Sequence, residues 1–247
     1  MKTLFALLAL VVTFQAPAAP AFGGLAGLAN AHPRASAGVF DWGDCIHYYA
    51  LGEASGQTRE DTIGSLDLIE TSDPVATNTM GKRGVCVDFV AQPLGRLQTA
   101  SFANPEPCSL SFWFKVTTYG GKMICLGDFA MANFDDCGPV YLIVVYGSGG
   151  VNPEFPNDLA WHHIVLTRNV GHEGKLYLDG SQIFVETTTF DATELPLEIG
   201  RLTAAPSGMS GTAFEGQLDE IAIFNKVLSA TDVDDLWNGG AGLFYTP

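Results

Sequence analysis

From residue 42 onward, short apolar runs are separated by turn residues, the pattern of an antiparallel sandwich. The runs predicted as strands are 46–51, 65–69, 85–90, 109–117, 122–126, 140–146, 162–168, 175–178, 182–186, 197–200 and 216–224. Several alternate cleanly. In SLSFWFKV, Leu110, Phe112, Phe114 and Val116 take one face, and Ser111, Trp113 and Lys115 take the other. In GQLDEIAIF, the same period puts Leu218, Glu220, Ala222 and Phe224 on one side and Asp219, Ile221 and Ile223 on the opposite one. Neither side is fully polar, so this strand is expected to be covered on both faces.

LYLDGSQIFVE carries Asp179-Gly180 between two alternating runs, the strongest hairpin signal in the chain. A two-residue turn pairs Leu178 with Ser181 and Leu176 with Ile183. That register places Leu176, Leu178, Ile183 and Val185 on one face and Lys175, Tyr177, Gln182 and Phe184 on the other. One helix is predicted, in LSATDVDDLWNGG. Ser229 is its N-cap, Asp232 completes a capping box, Val233, Leu236 and Trp237 form its apolar stripe, and Gly239-Gly240 ends it. The acids Asp232, Asp234 and Asp235 read as partners of the helix dipole and not as a cation site.

The stretch WHHIVLTRNVGHEGKLYLDGSQI gathers His162, His163 and His172. Neighbours in a strand point to opposite faces, so His162 and His163 do not grip one ion. His163, on the face of Trp161 and Val165, reads as a hydrogen-bonded sheet histidine. His162 is expected to be exposed at the start of its strand, and His172 to be solvated in a loop. His32 and His47 are isolated in sequence.

Composition narrows the function. With 47% hydrophobic and 16% charged residues the chain is long and apolar enough for a full core. Its formal net charge of −15 repels phosphate backbones, which excludes nucleic acid as an expected partner. Residues 1–21 carry Lys2, the apolar run Leu4 to Val12 and Ala19-Pro20-Ala21 as a cleavage site, the pattern of an export signal. An uncleaved anchor and an apolar docking arm are the alternatives. The run is about half of the ~20 residues a spanning helix needs, so no stable membrane span is expected. Residues 22–41, rich in Gly, Ala, Pro and Ser, read as a linker or arm, 42–240 as the folded domain and 241–247 as a tail.

The cysteines Cys45, Cys86, Cys108, Cys125 and Cys137 show no CxxC spacing, which argues against zinc. In an oxidising compartment Cys125 with Cys137, at the two ends of a short connection, is the first disulfide to test. Without export, all five are expected to be buried thiols that only pack. No nucleophile elbow, HExxH or P-loop is present. Asp219 and Glu220, the nearest pair of acids on a strand, are adjacent and point apart, whereas glycoside hydrolysis needs two carboxylates across one bond. No catalytic residue is expected.

The order of these pieces resembles the laminin G-like jelly rolls of the concanavalin A-like lectin/glucanase superfamily, in the pentraxin-related branch common in bacterial secreted proteins and phage virion proteins. The motifs that carry it are HYYALGEASGQTREDTIGSLDL, GKRGVCVDFV, SLSFWFKV, the W-x-H strand from Trp161 to Leu166, LYLDG, PLEIGR and FEGQLDEIAIFNKVLSATDVDDLW. Gly52 stands where the family usually has Asp, and GGAGLFYTP looks like the tail of many members. The resemblance implies an all-β fold: a two-sheet antiparallel jelly-roll sandwich with one short C-terminal helix and a curved binding face. It also implies calcium at the rim in some members. GDFAMANFDDCG places Asp128, Asn133, Asp135 and Asp136 in one connection where related domains often hold a calcium ligand, and Asp128, Asp135 and Asp136 are the candidate metal ligands. The leading expectation is a secreted, non-catalytic module that recognises carbohydrate or a protein surface, with calcium as a candidate cofactor. The alternative is a structural or decoration protein of a virion or other surface assembly, docked through residues 1–41. A glycoside hydrolase is the third.

Overall fold

The centre of the fold is the Cys108–Thr118 strand, where alternation sends Leu110, Phe112, Phe114 and Val116 into the main core. The computed structural model describes residues 40–71, 74–78, 80–89, 95–103, 105–118, 121–126, 130–134, 142–146, 149–151, 158–171, 173–187, 194–200 and 214–247. Two antiparallel sheets face each other. The eight-stranded sheet runs in the order Ser181–Thr187, Glu173–Leu178, His162–Arg168, Cys108–Thr118, Glu215–Phe224, Cys86–Asp88 and Ala76–Asn78, with Cys45–Tyr49 also paired to Glu215–Phe224. The seven-stranded sheet runs Gly149–Val151, Leu142–Tyr146, Ala130–Phe134, Gly121–Leu126, Leu197–Ile199, Leu97–Gln98 and Ile69–Glu70. Side chains of the first sheet meet Leu68, Leu97, Met123, Ile124, Leu126, Leu197 and Ile199 of the second, or of its immediate flank, in one apolar layer. The all-β sandwich with one short helix is therefore the observed architecture. No helix among the described residues is long and apolar enough to cross a membrane.

The helix Ala230–Trp237 has the expected capping box: Ser229 Oγ accepts the Asp232 N–H, and Asp232 accepts the Ser229 N–H. Val233 and Leu236 are buried on the outer side of the eight-stranded sheet, where they join Val165, Tyr177, Ala222, Phe224 and Leu228 in a second core. Phe40, placed in the arm by composition, belongs to this core and packs edge-on against Trp42 and Phe224. Leu243 and Tyr245 from the closing residues pack there as well.

Two bulges correct the expected registers. The hairpin turn pairs Leu178 with Ser181 as expected, with Asp179 at φ 49° and Gly180 at φ 78°. Leu176, however, pairs with Phe184 and not with Ile183, because one extra residue enters the second strand. Phe184 turns to the main core, while Ile183 and Val185 are exposed. Gly180 is fixed in place by its left-handed φ and by Trp237, since an added Cβ would lie 2.8 Å from the indole. The second irregularity is in Glu215–Phe224, whose register slips between Asp219 and Ala222, with Glu220 at φ 53°. Leu218 therefore shares the main core with Ile221 and Ile223, and Ala222 and Phe224 face the second core. The expectation that both faces of this strand are covered holds.

Candidate functional site

On the outer face of the eight-stranded sheet, the cover of helix and closing residues stops short of the ends of three strands. There Gln217 pairs directly with Asp88 on one side and with Lys115 on the other, so three polar side chains stand in a row across the sheet. Gln217 Nε2 donates to Asp88 Oδ2 at 2.9 Å, and Asn78 Nδ2 donates to the same oxygen at 2.8 Å. The carboxylate fixes both amide orientations, because an amide oxygen turned toward it would be repelled. Asn78 Oδ1 accepts the Met80 N–H at 2.9 Å. Gln217 Oε1, by contrast, is buried and has no protein partner among the described residues.

These side chains form the floor of a pocket of about 390 Å³, which Val116, Thr117 and Leu159 complete. Leu159 is 55% exposed and has φ 56°, the left-handed region that a branched side chain rarely occupies. The opposite charges of Asp88 and Lys115 leave the pocket close to neutral. It offers carboxylate and amide acceptors, ammonium and amide donors, and the apolar side chain of Leu159. Among the described residues that line it, Asp88 is the carboxylate.

Asp219 and Glu220 do not enter it. Asp219 is buried under the turn at 81–84 and accepts the Arg83 N–H at 3.0 Å; an added Cβ at Gly81 would come within 2.9 Å of its Oδ2. Glu220 takes a hydrogen bond from the Tyr48 hydroxyl, which itself accepts the Tyr245 N–H at 3.2 Å. Burial pushes the Asp219 carboxyl up to about 7 and the Glu220 carboxyl up to about 8. Lys82 spans the same seam, with its ammonium 4.0 Å above the Trp113 ring and bonded to the Gly240 carbonyl.

The histidines separate as strand geometry demands. His163 stacks on Trp113 and bonds Ser111 Oγ at 2.8 Å, and burial pushes its imidazole down to about 3, so it is neutral. His162 corrects the expectation of exposure: it is 6% exposed, with Nδ1 2.7 Å from Asp179 Oδ2 and Nε2 2.9 Å from Asp158 Oδ1. Burial opposes its charge, but the two carboxylates outweigh it and raise its pKa above the ordinary 6.5. His47 pairs with Asp61 at 2.6 Å, and the same carboxylate accepts the N–H groups of Tyr48, Gly64 and Leu66, which organises the loop after the first strand. His32 and His172 lie outside the described residues.

Asp128, Asp135, Asp136 and Cys137 also lie outside the described residues. The connection that holds them is not a single loop, however. The Ala130–Phe134 strand runs through it, pairing with Gly121–Leu126 and Leu142–Tyr146, so Asp128 precedes a strand that Asp135 and Asp136 follow. The apolar-polar mixture AMANF gave period two too little contrast to mark it as a strand. Among the described residues, no three His, Cys, Asp or Glu side chains converge as a metal site. Cys125 is buried. Cys45, Cys86 and Cys108 are buried thiols pushed up to about 12 by desolvation, which leaves them protonated packing groups.

Solved structures with the same fold are distant in sequence. Domain 4 of AbnA, a GH43 extracellular arabinanase from Geobacillus stearothermophilus in complex with arabinotriose, aligns with TM-score 0.56 and 16% identity over 81% of this chain and 98% of that domain. Trypanosoma rangeli sialidase aligns with TM-score 0.60 and 15% identity over 85% of this chain, which spans only 35% of the sialidase. Botulinum neurotoxin type C, whose cell entry depends upon interaction with two ganglioside molecules, aligns with TM-score 0.57 and 15% identity over 79% of this chain and 51% of the other. Among curated proteins none matches. The family model of the concanavalin A-like lectin/glucanases superfamily matches residues 92–234, more than half of the chain, and the chain belongs to that family.

Proposed function

We propose that the chain is a non-catalytic recognition module that binds a carbohydrate in the pocket floored by Asp88, Gln217, Lys115 and Asn78. The observation that carries this reading is the buried Gln217 Oε1, without a partner among the described residues, beside an Asp88 carboxylate that Gln217 Nε2 and Asn78 already engage. A glycan hydroxyl supplies the missing donor, and further hydroxyls bridge Asp88 and Lys115. The C–H face of a sugar ring suits Leu159. A fold neighbour solved with arabinotriose, and another whose cell entry depends upon interaction with two ganglioside molecules, support the class of ligand, and the one lining carboxylate among the described residues supports binding without cleavage. A protein surface is the second class of partner, since another fold neighbour is the binding domain of botulinum neurotoxin DC with rat synaptotagmin II.

Export through residues 1–21 and calcium bound through Asp128, Asp135 and Asp136 belong to the same proposal. The assembly reading, with residues 1–41 as a docking arm on a virion or other surface, rests on the apolar run Leu4 to Val12. A glycan array with arabino-oligosaccharides and sialylated glycans tests the ligand class. Specific signal that Asp88→Asn removes is expected. An array with no signal above background, in the presence and absence of calcium, sinks the carbohydrate reading.

A further inference from the structure

Leu159 owes its place in the pocket to a hydrogen-bonded bracket. Asp158 Oδ1 accepts the Ala160 N–H at 2.9 Å and also faces His162 Nε2 at 2.9 Å, so one oxygen ties the residues on both sides of Leu159 to the start of the His162–Arg168 strand. The other ring nitrogen of His162 faces Asp179 Oδ2 at 2.7 Å. A neutral imidazole has one N–H and one lone pair, and a lone pair set against a carboxylate is repelled. Two carboxylates on two ring nitrogens therefore require the imidazolium. Among the described residues near it, His163 is neutral, the cross-strand neighbour is the Phe114 ring, and Lys82 interacts with Asp179.

The two carboxylates are held unequally. Asp179 Oδ1 also accepts the His163 N–H at 2.9 Å, and its own N–H donates to the His163 carbonyl at 2.9 Å, which locks it into the hairpin turn. Asp158 is 53% exposed, and its only other hydrogen bond among the described residues is to Ala160. When the imidazolium loses its proton, Asp158 is the contact that yields. The turn at Leu159 then keeps its Asp158–Ala160 bond but loses its tie to the strand.

We infer that charged His162 is a positioning residue for the pocket: through Asp158 it holds Leu159 as the apolar wall, and the neutral imidazole releases that wall. The inference rests on the carbohydrate reading only for its consequence on affinity. It makes the site one that binds better in mildly acidic than in alkaline surroundings, with a midpoint above the ordinary imidazole value.

NMR of the full chain tests it directly. As His162 titrates, the Ala160 amide and the Leu159 methyl signals are expected to shift with the same midpoint. In Asp158→Asn, neither signal is expected to show that midpoint, while the His163 amide still reports a folded hairpin. Leu159 methyl signals that stay unchanged from pH 5.5 to 9 overturn the inference, as does retention of the midpoint in Asp158→Asn. Arabinotriose supplies the affinity arm: its binding is expected to weaken about tenfold across the midpoint. Arabinotriose binding that ignores pH while the wall moves removes the wall's functional role and overturns the inference. Failure of arabinotriose to bind at any pH, with the wall still moving, counts against the carbohydrate reading and leaves the coupling demonstrated.

Discussion

The same strands build both halves of the outer face of the eight-stranded sheet, yet the halves do different work. Along Cys108–Thr118, Ser111 and Trp113 lie buried beneath the C-terminal cover, whereas Lys115 and Thr117, further along the same face, line the open pocket. Along Glu215–Phe224 the division falls at the Glu220 bulge: Ala222 and Phe224 sit in the second core and Gln217 in the pocket floor. In the covered half, apolar area removed from water supplies the stability. In the open half, polar groups bond mainly to one another and keep some capacity for a ligand. Residues that hold the fold and residues that bind are therefore separable on one face, and substitutions can test how completely.

The largest effect is expected at Phe224, which is fully buried and touches the rings of Phe40 and Trp42. Phe224→Ala is expected to cost about 3–5 kcal/mol in urea unfolding, from lost transfer energy plus the cavity left behind. The surviving folded protein should bind the array's best glycan with unaltered affinity. A weakened affinity at full folding would show that the cover and the pocket are coupled, and the division into halves would fail.

Much of the covered half was legible in the sequence, and little of the open half. Alternation in SLSFWFKV and the capping box at Ser229 are local patterns, and local patterns set both the inward face of the central strand and the helix that covers its outside. The hairpin turn was equally local, but the bulge beyond it was not. Ile183 and Phe184 are both apolar, so composition does not say which of them faces the core, and a slip of one residue exchanges them. The pocket residues were missed for a related reason. Asn78, Asp88, Lys115 and Gln217 come from four strands, and each alone reads as an ordinary outward polar residue. Only the register that sets Gln217 between Asp88 and Lys115 makes them a site. His162 was misplaced because its burial depends on Asp179 reaching back across the turn, a tertiary contact whose sequence trace is simply an Asp-Gly pair.

An intermediate effect is expected at the boundary between the halves, and it depends on pH. Glu220 has a carboxyl pushed up to about 8 by burial, so the folded chain keeps a proton that the unfolded chain releases near pH 4. Its contribution is full below that pH, declines as pH rises, and is lost above about 8. Asp219, pushed up to about 7, acts in the same direction, and so does His162, whose stabilising charge is lost above its raised pKa. Tm is therefore expected to fall between pH 5 and pH 9. Glu220→Gln, which keeps a neutral partner for Tyr48, should flatten part of that slope, by about 5 °C for a contribution on the order of 2 kcal/mol. An unchanged slope would mean that Glu220 is already ionised in the fold.

The smallest effect on stability, and the sharpest test of the comparison, is expected at Gln217. Gln217 is 6% exposed and has one oxygen without a partner among the described residues, so it already carries part of the cost of a buried unsatisfied group. Gln217→Met keeps the length of the side chain and removes that oxygen together with the bond to Asp88. Asp88 retains its bond from Asn78, so no carboxylate is left stranded. Gain and loss nearly cancel, and Tm is expected to move by less than about 2 °C. Glycan binding, which needs both the amide acceptor and the orientation of Asp88, is expected to fall at least about tenfold in calorimetry. If Gln217→Met instead unfolds the chain as Phe224→Ala is expected to do, the polar row belongs to the scaffold and the ligand site must be sought elsewhere on the sandwich.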